Sequence, residues 1–364
     1  MSEEQNVAAA ARQFEIPGEF ASAAPYGSGH INDSYCAVFH ENGQTSRYMV
    51  QRINHKIFKN PVSVMENIQR VTSHLGEQVE EEPDRDRRVL TLIAARDGRA
   101  WHTDADGNYW RAYRFIENAR SFDAVNSPVQ AFQAAMAFGH FQQMLANLPA
   151  PRLLDTIPDF HNTPKRFAAL ERAIEADPAQ RASVAKPEID FALAHKSITS
   201  VLLDARLPER VTHNDTKFNN VLLDDDTGEG ICVIDLDTVM PGLAAYDFGD
   251  MVRTTTSPVM EDERDLSKVA MLFPMFEALV RGYLDSAGGF LTKEEKQHLA
   301  FSGKLITFEI GVRFLTDYLS GDTYFKVHRE GQNLDRCRTQ FKLVESIEQQ
   351  EEAMHRLVEK LTSN

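Results

Sequence analysis

The stretch from Val211 to Asp235 constrains this chain more than any other. It reads Val211-Thr212-His213-Asn214-Asp215-Thr216-Lys217-Phe218-Asn219-Asn220-Val221-Leu222-Leu223, a His-x-Asp-x-x-x-x-Asn loop running into a short apolar strand. A second apolar run, Ile231-Cys232-Val233-Ile234, follows and ends on Asp235. The turn residues Asp224-Asp225-Asp226-Thr227-Gly228 between the two runs predict an antiparallel hairpin. Such a hairpin brings Asn220 and Asp235 to one end of a small sheet, close enough to share an ion.

These residue types suit phosphoryl transfer, in which catalysis is mostly alignment and neutralisation of charge on the phosphoryl oxygens. Asp215 is placed to orient an acceptor hydroxyl and receive its proton. Asn220 and Asp235 offer the hard oxygen ligands that Mg²⁺ prefers, holding it against nucleotide phosphates. His213 is expected to brace the loop by hydrogen bonding rather than to move protons. Two other readings stay open. A His-Asn-Asp cluster in a loop also serves as turn-forming and capping groups. And Asp235-Leu236-Asp237-Thr238-Val239 suits an Asp-x-Asp-x-Thr phosphatase, in which the first Asp attacks phosphorus, the second is acid/base, and Asp247 and Asp250 hold metal. The phosphatase reading leaves the His213-to-Asn220 loop without a purpose.

A chain of 364 residues holds one large two-lobed domain or two modest ones. A formal net charge of −15 argues against nucleic acid or an anionic membrane as the main partner. Cys36, Cys232 and Cys337 are far apart and lack metal-site spacing, so they read as core thiols in a reducing cytoplasm. No apolar run approaches the ~18 residues of a membrane span and no signal-type segment opens the chain, so the expected location is cytoplasmic. The oligomeric state is open, with a monomer favoured.

Along the chain, residues 1–20 predict a short helix stopped by Pro17-Gly18. Tyr26 to Phe39 predicts strand, glycine turn and strand, with Gly27 and Gly29 letting the backbone approach phosphates. In the strand Tyr48–Ile53, Val50 and Arg52 share a face, making Arg52 the candidate phosphate cation and Glu66, on a helix from Pro61 to Leu75, its candidate partner. Charged residues 77–88 read as an exposed connection. Val89–Ala95 and Trp110–Ile116 predict paired strands, and Phe115-Ile116-Glu117-Asn118 a hinge at which Phe115 and Glu117 would border an adenine. From Ser127-Pro128 onward helical periodicity dominates, ending in one amphipathic helix over Leu343–Leu361 docked on its own lobe. The expected fold is α+β: a two-lobed protein-kinase-like plan with a small antiparallel sheet in residues 1–118 and a mostly helical lobe in 119–364.

Together these residues resemble the aminoglycoside-phosphotransferase/choline-kinase superfamily. Within it the chain is similar to the N-acetylhexosamine 1-kinase group, through Tyr26-Gly27-Ser28-Gly29-His30-Ile31-Asn32, the Val211–Leu223 loop, Val233 to Gly242, Tyr246-Asp247-Phe248-Gly249-Asp250 and Arg313 to Phe325. The resemblance implies ATP- and Mg²⁺-dependent transfer of the γ-phosphoryl group to the anomeric hydroxyl of GlcNAc or GalNAc. Asp215 would then be the base and Asn220 and Asp235 the metal ligands. It implies sugar contacts from His30, Asn32, Arg313, Asp317 and Tyr324, an intra-helix Arg313–Asp317 salt bridge being the alternative for that pair. Arg52 departs from the superfamily's usual Lys. Kinases of amino-alcohols, homoserine or aminoglycosides are the runner-up, and a catalytically silent nucleotide-sensing module stands behind them.

Overall fold

The computed structural model describes residues 3–27 and 31–363. Its first lobe runs α1 (Glu3–Ala11), β1 (Glu19–Pro25), β2 (Asp33–Glu41), β3 (Gln44–Ile53), α2 (Pro61–Gln78), α3 (Arg85–Arg88), β4 (Leu92–Ile93), β5 (His102–Thr103) and β6 (Tyr109–Arg114). The strands form one antiparallel sheet in the order β1-β2-β3-β6-β4, with β5 also on β6. Strand alternation gives that sheet two faces. Tyr35, Ala37, Phe39, Tyr48, Val50, Trp110 and Ala112 pack under α1. Met49, Gln51 and Ile53 of β3 and Arg111 and Tyr113 of β6 form the other face, which fronts the second lobe.

The second lobe begins with β7 (Ala119–Arg120), which joins the hairpin predicted between Val221 and Ile234 rather than the first sheet. Then come α4 (Pro128–Leu145), α5 (Thr163–Ala176), α6 (Lys186–Ala194), α7 (Val201–Asp204), β8 (Arg210–Thr212), β9 (Val221–Asp224), β10 (Gly230–Val233), β11 (Met240–Gly242), α8 (Ala244–Thr255), α9 (Phe273–Ala287), α10 (Lys293–Leu319), α11 (Gln332–Glu348) and α12 (Glu351–Thr362). The helix starts are chemically explicit. Asn60 caps Ser63 N ahead of Pro61, Ser127 caps Gln130 N ahead of Pro128, and Thr292 and Glu295 form a reciprocal capping box. The 27-residue α10 is buried on nearly every side and is the spine of this lobe. Helix α8 crosses it closely. A Cβ on Gly249 would lie 2.5 Å from Ser302 O, and one on Gly303 would lie 2.7 Å from Val252 Cγ1, so both positions need glycine.

One apolar cluster runs through both lobes. Val64, Met65, Ile68, Val71 and Leu75 of α2 belong with Phe138 of α4 and Phe276 of α9. A second cluster lies around α5, α6, α10 and α11.

Four expectations change. Helix α1 stops at Ala11, before the Pro17-Gly18 stop, because the chain turns early to bury Phe14 against Ala95. The last helix is two, broken at Gln349–Gln350, which lets Met354 and Val358 return to the core. The charged 77–88 segment is a clasp: Arg87 donates to the carbonyls of Glu117 and Asn118 and to Asp224, and Arg88 pairs with Glu229. Glu66 is exposed and has no ion pair, among the described residues, while its neighbour Asn67 donates to Leu154 O and Val239 O and ties α2 to the second lobe. No helix among the described residues is long and apolar enough to cross a membrane.

Candidate active site

The predicted hairpin forms. Strands β9 and β10 pair antiparallel, and Ile234 N donates to Asn220 O at 2.9 Å, which fixes the end of one strand beside the start of the other. Asp235 follows in a left-handed conformation, φ 59°, that turns the chain out of the sheet.

The loop before the hairpin is held from below by α8. The Asp247 carboxylate accepts from His213 N at 2.9 Å and Asn214 N at 2.6 Å, and Thr216 Oγ1 donates to Asp247 O. Burial pushes the Asp247 carboxyl up, against the pull of those donors. His213 lies between the rings of Phe138 and Phe141. Its Nε2 faces Ile234 O at 2.9 Å, and Asp215 N donates to its Nδ1 at 3.3 Å. A carbonyl only accepts and an amide N–H only donates, so the ring is neutral with its proton on Nε2. His213 braces the loop, as expected.

Asp215 and Asn220 meet. The Asn220 amide donates to Asp215 O at 2.8 Å and lies 3.4 Å from its Oδ2. Lys217 Nζ sits 2.9 Å from Asp215 Oδ1. Burial alone would raise the Asp215 carboxyl; Lys217, with Arg253, outweighs it and holds the group below its ordinary value. Asp235 responds oppositely. Burial, then the charges of Asp237 and Asp215, lift it to about 6, with Arg111 opposing. Asp215 and Asp235 therefore feel each other's charge, but Lys217 pairs with Asp215 while Asp235 has no ion pair of its own among the described residues.

Those donors fit Mg²⁺. The Asn220 amide nitrogen is spent on Asp215, which leaves its oxygen as the free end of that side chain, and Asp235 offers a carboxylate whose charge is poorly balanced. Among the described residues no group of three or more His, Cys, Asp or Glu side chains closes a metal shell.

Arg52 is elsewhere. Alternation puts it with Tyr48 and Val50 on the α1 side of β3, where it pairs with Asp33 at 2.6 Å and lies over Trp110. The cleft-facing residue of β3 is Gln51, and its cross-strand neighbour is Arg111. Arg111 donates through Nε to Gln51 Oε1 at 2.9 Å and grips Asp237 with both terminal nitrogens. Asn32 also donates to Asp237 and accepts from Asn54 N at 2.9 Å, so its amide ties the start of β2 to the end of β3 and to the second lobe. Gly27 has φ 83° and open space around its Cα. Gly29 and His30 lie outside the described residues.

At the hinge, Phe115 packs under Arg47 at 4.1 Å and edge-on to Tyr26 at 5.3 Å. Glu117 pairs with Arg47. In the second lobe, Arg313 lies over Phe160 at 4.9 Å, Phe325 at 5.7 Å and Tyr324 at 5.9 Å, and its guanidinium has no hydrogen-bond or ion-pair partner among the described residues. The i,i+4 pair with Asp317 does not form. Asp317 instead accepts from the amides of Thr323, Tyr324 and Phe325 and from Asn333 Nδ2, all within 2.8–2.9 Å, anchoring the loop after α10. A cavity of about 400 Å³ flanks the site, lined among others by Phe160, His161, Asn214 and Tyr246; Asp215, Asn220 and Asp235 do not line it.

The sequence assigned no role to Lys217 or Arg111, and offered Asp247 only as a metal ligand of the phosphatase reading, whereas it holds the loop amides of His213 and Asn214. Lys217 had a local signal, a cation two residues after the base. For Asp247 the signal was an acid in the first turn of a helix. Arg111 had only the parity of its strand.

Residues 22–271 match the model of the phosphotransferase enzyme family. Three solved structures share the fold over nearly the whole chain. One is a microcompartment-associated aminopropanol kinase (TM-score 0.59, 15% identity, 96% of this chain and 98% of that one). Another is an aminoglycoside phosphotransferase from Alicyclobacillus acidocaldarius subsp. acidocaldarius DSM 446 (TM-score 0.61, 12% identity, 97% and 96%). The third is a spectinomycin phosphotransferase in complex with ADP and spectinomycin (TM-score 0.56, 13% identity, 92% and 94%).

Proposed function

This chain belongs to the phosphotransferase enzyme family, and from that premise we propose that it is an ATP-dependent, Mg²⁺-dependent cytoplasmic kinase of N-acetylhexosamines that phosphorylates the anomeric hydroxyl. The observation that carries the phosphoryl-transfer reading is the convergence of Asp215, Lys217, Asn220 and Asp235 from one loop and one hairpin. We take residues 1–118 as the nucleotide lobe and 119–364 as the acceptor lobe. The spectinomycin phosphotransferase of this fold, solved with ADP, supports a nucleotide in the same cleft.

In this reading Asn220 and Asp235 hold the metal. Gly27 would lie along the phosphates, and Phe115 and Glu117 would border the base; Gly29, outside the described residues, stays a proposed phosphate neighbour. Bound Mg²⁺–ATP supplies the γ-phosphoryl group and the positive charge that draws its oxygens into line. Asp215, ionised because Lys217 lies beside it, would accept the hydroxyl proton as the acceptor oxygen bonds to the γ-phosphorus and the bond from that phosphorus to the β,γ-bridging oxygen breaks, ADP leaving with the electron pair. Lys217 is then the protein's own cation for the phosphoryl oxygens. Arg313, a guanidinium without a polar partner in an aromatic cage that includes Tyr324, has donors for the ring hydroxyls or acetamido oxygen of a sugar; His30, outside the described residues, stays a proposed contact. Asp317 and Asn32 leave the set of direct contacts, since loop amides and Asp237 occupy them.

One observation favours a different acceptor. Asp250 Oδ2 is buried without a partner, close to the charge of Lys217, and would meet the ammonium of an amino-alcohol or aminoglycoside. Incubation with Mg²⁺–ATP and a panel of N-acetylhexosamines, amino-alcohols and aminoglycosides decides between them. An acid-labile sugar phosphate supports the anomeric kinase. An acid-stable product from an amino-alcohol replaces it, and ATP binding with no transfer to any acceptor leaves a nucleotide sensor.

A further inference from the structure

The peptide unit that carries Asp215 is gripped at both ends by histidines. Its N–H, on Asp215, donates to His213 Nδ1 at 3.3 Å. Its C=O, on Asn214, lies 3.0 Å from His161 Nε2. Asn214 itself is in the left-handed region, φ 64°, where a side-chain-bearing residue stays only if its surroundings hold it. Its side-chain amide is bound to Thr212 O and Thr238 O, and its own N–H to Asp247. The bond to its carbonyl is the one described restraint that comes from the far side of the second lobe, from the segment ahead of α5.

His161 is 5% exposed, and its other nitrogen, Nδ1, lies 2.8 Å from Glu309 Oε1 in the middle of α10. Glu309 is fully buried, and its second oxygen accepts from Thr163 Oγ1 at 2.5 Å. A carbonyl and a carboxylate thus face the two nitrogens of one ring. Both are acceptors, so both nitrogens carry protons and the ring is an imidazolium. Three ionisable groups face it: Glu309, Arg313 one turn further along α10, and the phenol ring of Tyr246 at 5.1 Å. Burial and the Arg313 charge oppose protonation, and Glu309 with the Asn214 carbonyl outweighs them. The result is a buried row of alternating charge, His161, Glu309, Arg313, which runs from the main chain beside the base to the caged guanidinium of the acceptor side.

We propose that His161 is a positioning residue for the base: held protonated by Glu309, it fixes the Asn214–Asp215 peptide and couples the aim of Asp215 to the acceptor at Arg313. The second half of this proposal rests on the acceptor-site reading given above; the first does not. Side-chain ¹⁵N NMR of the wild-type protein reads the ring directly and needs no substrate. Both ring nitrogens should show the protonated shift at pH 7.5, where a free imidazole is mostly neutral. A neutral tautomer overturns the proposal.

Kinetics of Glu309→Gln and His161→Gln then separate positioning from simple support. With the acceptor found for the wild type, kcat should fall about tenfold or more while KM for ATP stays within about twofold, and the loss should not add to that of Asp215→Asn. A drop in melting temperature with unchanged kcat per folded molecule means a merely structural pair and overturns it. If these variants do not fold, the NMR result alone decides. Should the wild type phosphorylate no acceptor, the acceptor-site reading fails while the ring's protonation state still tests His161.

Discussion

Arg111 and Asp237 form a bidentate ion pair across the interface of the two lobes, with side chains 1% and 3% exposed. Arg111 comes from the middle of the first sheet, and Asp237 lies two residues beyond the metal-binding candidate Asp235. The pair therefore pins the first lobe to the strand end on which metal binding would depend. It also removes Asp237 from proton transfer, which an Asp-x-Asp-x-Thr phosphatase would require of it.

Breaking this pair from one side should be costly. Arg111→Met leaves a buried carboxylate without its partner, a loss of about 3–5 kcal/mol in comparable pairs. We expect a clear fall in the denaturant midpoint, and partial recovery in Arg111→Met/Asp237→Leu, where no charge is left unpaired. Equal stability of the single and double variants would contradict the pairing.

Asp215→Asn keeps the shape of the loop and removes the proton acceptor. General-base contributions are about 10²–10⁴ in rate, so kcat should fall by that order with KM for ATP little changed. Steady-state kinetics at saturating nucleotide read it.

Arg52 and Lys217 should behave oppositely. Arg52 pairs with a half-exposed Asp33 on the α1 side of the sheet, and exposed pairs are worth about 0–1 kcal/mol. Arg52→Ala should leave kcat/KM for ATP within a few-fold of wild type. Lys217→Ala removes a cation beside the base, and loss of one such group costs about 10²–10³ in kcat. A larger effect at Arg52 than at Lys217 would restore Arg52 as the phosphate cation.

Arg313→Met should act on the acceptor alone. A hydrogen bond from a charged group is worth about 1.5–3 kcal/mol, so KM for the sugar should rise about 10–100-fold while KM for ATP holds. Its aromatic cage suits a methionine, so folding should survive.

The His161–Glu309 pair should leave a mark on stability against pH. His161 is raised, so its contribution is complete below about 6.5, the unfolded value, and is lost as pH climbs through the folded one. Glu309 is lowered, so its contribution is complete above about 4.3 and is lost as pH falls through its folded value. The stability gap between wild type and Glu309→Gln should be widest between those limits and narrow on the alkaline side. Thermal melts across pH 4–10 measure it.

Much of the site was legible because its parts are local. The base, the metal-ligand candidates and the hairpin lie within 25 consecutive positions, 211–235, and strand alternation, turn composition and loop spacing all act over that range. The helix starts at Ser127-Pro128 and at Pro61 were readable for the same reason. Arg52 shows where such reading stops: alternation says which side chains of β3 share a face, but packing against α1 or against the second lobe decides which face meets the cleft.

By itself, then, the amino-acid order determined the catalytic loop, the hairpin, the helix caps and the division into a sheet-rich and a helical part, since each depends on neighbours a few residues away. Only the tertiary structure decided the pairing of Arg111 with Asp237, 126 positions apart, of His161 with Glu309, 148 apart, and the spending of Asp317 on a loop. A buried charge must find a partner or neutralise. Which partner it finds is settled by the packing of whole elements, a property no local pattern encodes.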